Sequence, residues 1–101
     1  MAVAFQLLTA SDFQPQVGKD FFIHFSNGAV TIAQLEKVVD LPRYADLTRK
    51  PFSIQLQTNQ KDHYHQQAIY TIEQPALGSM QIFLVPVGYN EKGMLYEAIF
   101  S

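Results

Sequence analysis

From residue 20 onward, apolar and polar residues alternate with a period of two, which is typical of strands that face a core on one side. The clearest alternation is Phe52-Ser53-Ile54-Gln55-Leu56-Gln57, in which every second residue is apolar. Comparable runs predict six strands, at residues 20–26, 29–39, 52–57, 68–74, 79–87 and 94–100. Short strands joined by turns predict an all-β antiparallel meander that forms a small barrel or a rolled sheet.

Turn residues and a change of apolar parity add detail to the prediction for the first two strands. Asn27-Gly28 predicts a hairpin with a type I′ turn, because both central residues of that turn need a positive φ. In the following strand Val30 and Ile32 share one parity, whereas Leu35 and Val39 share the other. A strand that changes its apolar face in this way carries a bulge, which we expect near Ala33–Gln34.

Two segments outside the strands have their own patterns. Residues 11–17 predict a short helical turn that covers the core, capped by Thr9 or Ser11. Gly18 supplies the left-handed residue that ends the turn. Residues 58–67 are polar apart from Tyr64, so we expect an exposed connection there.

Strand parity also predicts the core. The run Ile82-Phe83-Leu84-Val85 is apolar without a break, which predicts a central strand buried on both faces. The expected buried residues are Ile23, Ile32, Phe52, Ile54, Leu56, Tyr70 or Ile72, Phe83, Val85 and Phe100.

Composition changes this picture little. A chain of 101 residues predicts one domain. The absence of cysteine favours a reducing, cytoplasmic compartment, and no apolar segment is long enough to span a membrane. The net charge of −2 argues against a nucleic-acid partner.

Several blocks resemble a known family. Ile69-Tyr70-Thr71-Ile72-Glu73, Pro75-Ala76-Leu77-Gly78 and above all Phe83-Leu84-Val85-Pro86-Val87-Gly88 occur in order. They resemble a bacterial family catalogued as domain of unknown function 6916. The resemblance implies a shared fold, no known activity, and gene neighbourhoods that contain phage tail-collar-like proteins.

Candidate chemistry is sparse. His63 and His65 would project to the same side of an extended segment beside Asp62, but no third metal ligand is placed by the sequence. The carboxylates are dispersed, and no serine lies in a G-x-S-x-G motif. We therefore predict no catalytic residue, no metal site and no cofactor.

A binding or assembly module is the favoured function. Tyr44, Tyr64 and Tyr89 lie in or next to loops, where aromatic residues either anchor a partner or pack on the barrel rim. The predicted partner is another protein or a second copy of the chain. Residues 20–26 and 94–100 could pair with it as edge strands if the barrel stays open. The alternative is a small hydrolase-like or ligand-binding enzyme with a polar cleft.

Overall fold

A computed structural model describes residues 8–42 and 51–100 of the protein. The described chain begins with a helix of one turn and continues into six strands. No helix within these residues is long and apolar enough to cross a membrane. The elements are α1 (Ala10–Phe13), a 3₁₀ turn (Gln14–Gln16), β1 (Asp20–His24), β2 (Val30–Asp40), β3 (Phe52–Gln57), β4 (Ala68–Gln74), β5 (Gly78–Tyr89) and β6 (Met94–Phe100).

The six strands form a closed antiparallel barrel in the order β1-β2-β3-β6-β5-β4, with β4 paired to β1. The predicted all-β antiparallel class is confirmed, and the sheet closes. β3 pairs with β6, so β3 and β4 stand on opposite walls. The connection between them, residues 58–67, therefore passes across one end of the barrel, and we call it the crossover. Because β1 and β6 each pair on both sides, neither is the open edge strand on which partner pairing would depend.

The end of the barrel opposite the crossover is covered by α1, as predicted. Thr9 is the N-cap, and its backbone N–H donates to the Asp12 carboxylate at 2.7 Å. The fully buried Phe13 ring lies 5.7 Å from the ring of Phe52 and 5.3 Å from that of Phe100, centroid to centroid. Gly18, with φ of 86°, ends the helical segment.

The predicted hairpin joins β1 to β2, but its turn is not type I′. The N–H of Gly28 donates to the Phe25 carbonyl, and the N–H of Phe25 donates to the Ala29 carbonyl. The loop therefore has three residues, with Gly28 at a φ of 88° in the left-handed position. The Asn27 side chain accepts the Ala29 N–H at 3.1 Å, which favours this longer loop.

The predicted change of parity in β2 occurs two to three residues later than expected. The register with β3 shifts between Leu35 and Lys37, which places the irregularity at Glu36. Ala33 and Leu35 point into the barrel before it, and Val38 packs against the core after it. The bulge near Ala33–Gln34 was therefore expected in the right strand but at the wrong position.

Most of the predicted core is buried, with three exceptions. Ile32 and Phe83 are 55% and 49% exposed, and Val85 is only partly buried. In β5 the inward residues are Met80, Ile82 and Leu84, so its apolar run is not buried on both faces. The other predicted residues are all buried: Ile23, Phe52, Ile54, Leu56, Tyr70, Ile72 and Phe100.

Candidate functional site

The outer side of β5 is uncharged and largely apolar apart from the exposed Gln81. None of its twelve residues carries a charge, and Phe83, Val87 and Tyr89 are each about half exposed. Ile69 of β4 lies opposite Phe83 in the register and is 64% exposed. We call Ile69, Phe83 and Val87 the β5 face. Contiguous apolar surface of this kind is typical of sites that contact another molecule. Tyr89 follows the register shift between Pro86 and Gly88, pairs with the inward Met94 and lies at the crossover end of the barrel.

Two of the three predicted interaction tyrosines lie together beside the β5 face. The rings of Tyr64 and Tyr89 meet edge to face, with centroids 6.4 Å apart and planes at 83°. Each side chain is about half exposed, so each packs on the other and still presents surface to solvent. Tyr64 and Tyr89 thus form an exposed aromatic pair between the crossover and the end of β5. Tyr44 lies outside the described residues.

The crossover is mostly exposed, as predicted, but its Thr58 and Gln60 are buried and hydrogen bonds anchor it to the barrel. The buried Tyr96 hydroxyl donates to Gln60 Oε1 at 2.7 Å and accepts the backbone N–H of His65 at 2.9 Å. Gln60 Nε2 lies 3.2 Å from His65 Nδ1. We call Gln60, His65 and Tyr96 the polar triangle. Gln60 is buried because the crossover spans the end of the barrel instead of leaving it.

Backbone bonds hold the start of the crossover against β6. The Thr58 hydroxyl and N–H both donate to the Met94 carbonyl, and the Met94 N–H donates to the Gln60 carbonyl. A Cβ built on Gly93 would lie 2.7 Å from the backbone of Asn59 and Gln60. This close approach requires glycine at position 93.

Burial favours the neutral forms of His65 and Tyr96, the two ionisable side chains of the polar triangle. The His65 ring stacks on Phe25 with centroids 3.8 Å apart and planes 6° from parallel. Desolvation lowers the pKa of His65, and the neighbouring His63 adds a smaller decrease. Desolvation also raises the pKa of Tyr96. A hidden, neutral phenol is poorly suited to proton transfer with a substrate, so the arrangement fits a structural role better than a catalytic one.

His63 and His65 have different partners despite their spacing. His63 Nδ1 lies 2.9 Å from Asp62 Oδ1 at the surface, whereas His65 Nδ1 faces Gln60. Over residues 8–42 and 51–100, no group of three or more His, Cys, Asp or Glu side chains is placed to hold a metal ion.

An open groove of about 380 Å³ lies on the outer side of β1, β4 and β5. His24 Nε2 lies 2.7 Å from Glu73 Oε1 at its margin, and Glu73 lies opposite Ser79 in the register. A nucleophilic serine needs the histidine next to its hydroxyl, but here the carboxylate comes between them. The groove is lined by Phe22, Glu73, Gln74, Pro75, Gly78 and Ser79.

Sequence reasoning missed the polar triangle and the β5 face. Tyr96 shares the inward side of β6 with Met94, Ala98 and Phe100, but nothing local shows which group its hydroxyl meets. Gln60 lies between Asn59 and Lys61 in a polar run and carries no signal of burial. Phe83 was assigned to the core, although the opposite parity, which contains Ile82, was equally apolar.

Comparison with known proteins identifies a family for the chain but assigns no activity to it. No curated protein and no solved structure matches the chain. The family model described as "Domain of unknown function (DUF6916)" matches residues 8–100, a span that contains α1 and all six strands. The chain therefore belongs to this family of domains of unknown function.

Proposed function

We propose that the protein is a non-catalytic binding or assembly module that contacts a partner protein through the β5 face. The observation that carries this proposal is the exposed pair Ile69 and Phe83 on a wall where β5 has no charged residue. Interface centres are depleted in charge and enriched in aromatic residues. Tyr64 and Tyr89 add a second exposed aromatic pair at the crossover end of β5.

The chemistry of the β5 face also defines the kind of partner. Burying an unpaired charge is unfavourable, so an uncharged apolar surface is complementary to another uncharged apolar surface. A second copy of the chain satisfies this requirement, and so does a different protein with an apolar patch. On the family resemblance we further propose a cytoplasmic, phage-tail-associated assembly as its setting.

The proposal is tested with two exposed isoleucines, Ile69 on β4 beside β5 and Ile32 on β2, the strand opposite β5 in the barrel. Ile69→Asp places a charge in the β5 face, whereas Ile32→Asp places the same charge on β2, which faces away from β5. The two residues have similar exposure, at 64% and 55%. Light scattering over a concentration series measures self-association, and cross-linking with mass spectrometry in host extract identifies other partners.

We expect the wild type and Ile32→Asp to form the same complex and Ile69→Asp to lose it. Unfolding midpoints of the three proteins should agree, which separates loss of binding from loss of fold. A protein that stays monomeric and cross-links to the same neighbours with or without Ile69→Asp would contradict the proposal.

The alternative is a ligand-binding or hydrolase-like function at the groove. The specific observation in its favour is the contact between His24 and Glu73 at the groove margin. Substitution of Glu73 by Gln should then abolish turnover or ligand binding without affecting complexes formed through Ile69.

A further inference from the structure

The polar triangle has a fixed direction of hydrogen bonding. Tyr96 uses its oxygen to accept the His65 N–H, so its proton is directed at Gln60 Oε1. With Oε1 engaged, the Gln60 amide presents Nε2 to His65, and an amide nitrogen can only donate. His65 Nδ1 must therefore accept, which requires that this nitrogen carry no proton.

Protonation of His65 conflicts with this arrangement. A protonated imidazole donates from both nitrogens, so the Nδ1–H would face the N–H of Gln60. Rotating the Gln60 amide would relieve that conflict, but the Tyr96 hydroxyl would then lose the acceptor for its proton. Every arrangement with a charged His65 thus leaves a donor in the triangle without its present acceptor, and part of this site is buried.

We propose that the crossover is an acid-released cover, in which protonation of His65 breaks the polar triangle and exposes the aromatic end of the barrel. The residues beneath it include Phe25, Tyr70 and Tyr96, all buried when the crossover is in place. This device goes beyond the proposed partner-binding function. Ile69 and Phe83 lie outside the polar triangle, although opening the crossover would also move Tyr64 away from Tyr89.

The groups around His65 favour its neutral form. Phe25, after β1, stacks on its ring and is uncharged, while β4 and β6 contribute the neutral phenols of Tyr70 and Tyr96. On the crossover itself, His63 would repel an imidazolium at position 65, and Asp62 bonds His63. In the described chain no carboxylate forms a hydrogen bond with His65 that would favour its charged form.

The direction of the pH effect follows from linkage. The pKa of His65 is lowered in the closed structure from its ordinary value of 6.5, so the closed form binds fewer protons than the open form. The cover is fully stabilised above this ordinary pKa. Stabilisation decreases as the pH falls below it and is lost below the lowered pKa.

The test measures amide hydrogen exchange by NMR between about pH 7.5 and pH 5.5, the range in which histidine titrates. The reporters are the N–H groups of His65 and Met94, which bond Tyr96 and Gln60. After correction for the intrinsic exchange rate, one linked proton reduces their protection by up to about tenfold per pH unit. The amide of Ile54 in β3 serves as the reference and should keep its protection.

Two matched substitutions identify the titrating group. His65→Asn retains an acceptor close to the position of Nδ1 but cannot be protonated, so protection of the crossover should become independent of pH. His63→Asn removes an exposed histidine two residues away and should retain the pH dependence. The proposal is overturned if His65→Asn responds to acid as the wild type does, or if wild-type protection stays constant. If His65→Asn does not fold, the NMR titration of His65 in the wild type decides, and a midpoint at or above 6.5 overturns it.

Discussion

At one end of the barrel Phe13 lies among the rings of Phe21, Phe52 and Phe100, whereas at the other end Gln60, His65 and Tyr96 hold one another by hydrogen bonds. Both ends exclude water from the same core. The phenylalanine rings are held by apolar contact, which is non-directional and involves no titratable group, although the Asp12 carboxylate caps the helix that carries Phe13. The crossover end depends on directed bonds, each of which needs a specific proton.

Because the two ends are held by different interactions, we expect different changes to destabilise them. Apolar contact is weakened roughly in proportion to the area removed, so the phenylalanine end should respond to loss of volume and ignore pH. The crossover end should respond to the loss of a single hydroxyl, to an added methyl group and to acid. The following substitutions test that contrast, from the largest expected effect to the smallest.

Phe13→Ala should destabilise the protein most. Its fully buried ring contacts three others, and truncating a buried phenylalanine costs about 3–5 kcal/mol. Urea unfolding measures the loss, which should be the same at neutral and mildly acidic pH relative to the wild type. Ser11→Ala, on the exposed side of the same turn, should change stability by less than about 0.5 kcal/mol. A loss below about 1 kcal/mol for Phe13→Ala would show that α1 does not close the core.

Tyr96→Phe should cost about 1–3 kcal/mol, although it removes only one oxygen atom. The substitution leaves the His65 N–H without its acceptor and Gln60 Oε1 without its donor. Tyr70→Phe provides the comparison, because within the described chain the Tyr70 hydroxyl donates one hydrogen bond, to the Gln66 carbonyl. If both variants lose the same small amount of unfolding free energy, the polar triangle contributes no more than an ordinary tyrosine hydroxyl.

Gly93→Ala should be more destabilising than Gly88→Ala by about 1–2 kcal/mol, the range expected for overpacking. Both glycines have positive φ, at 144° and 155°, so both variants carry backbone strain. Only at Gly93 would the new methyl meet backbone, that of the crossover; nothing lies within 4 Å of the site at Gly88. Equal unfolding midpoints for the two variants would mean that the crossover moves away from the new methyl group without loss of stability.

Local features of the fold were predictable from neighbouring residues. Thr9, Phe13 and Gly18 mark the start, buried side and end of one helical segment, and all of these signals lie within ten positions of one another. The regular alternation from Phe52 to Gln57 placed three core residues correctly. The hairpin at Asn27-Gly28 was also correct in place, although the exact turn depended on which carbonyl the Gly28 N–H reached.

The candidate sites were less predictable, because each joins residues that are far apart in the chain. Ile69 and Phe83 become neighbours only when β4 pairs with β5, and Gln60 meets Tyr96 only when the crossover spans the barrel. The Tyr64 and Tyr89 pair was expected as two separate anchors. Their contact likewise depends on the position of the crossover beside the end of β5.

By itself the sequence determined the strands, their alternation, the helical turn and the all-β class, since these depend on the spacing of neighbouring residues. Tertiary structure decided which parity of β5 points inward, because Ile82 and Leu84 compete with Phe83 and Val85 as equally apolar sets. It also decided that β3 pairs with β6 and that a polar connection covers one end of the barrel with Gln60 buried beneath it. Such choices are set by packing and hydrogen bonding between distant segments, which no local pattern encodes.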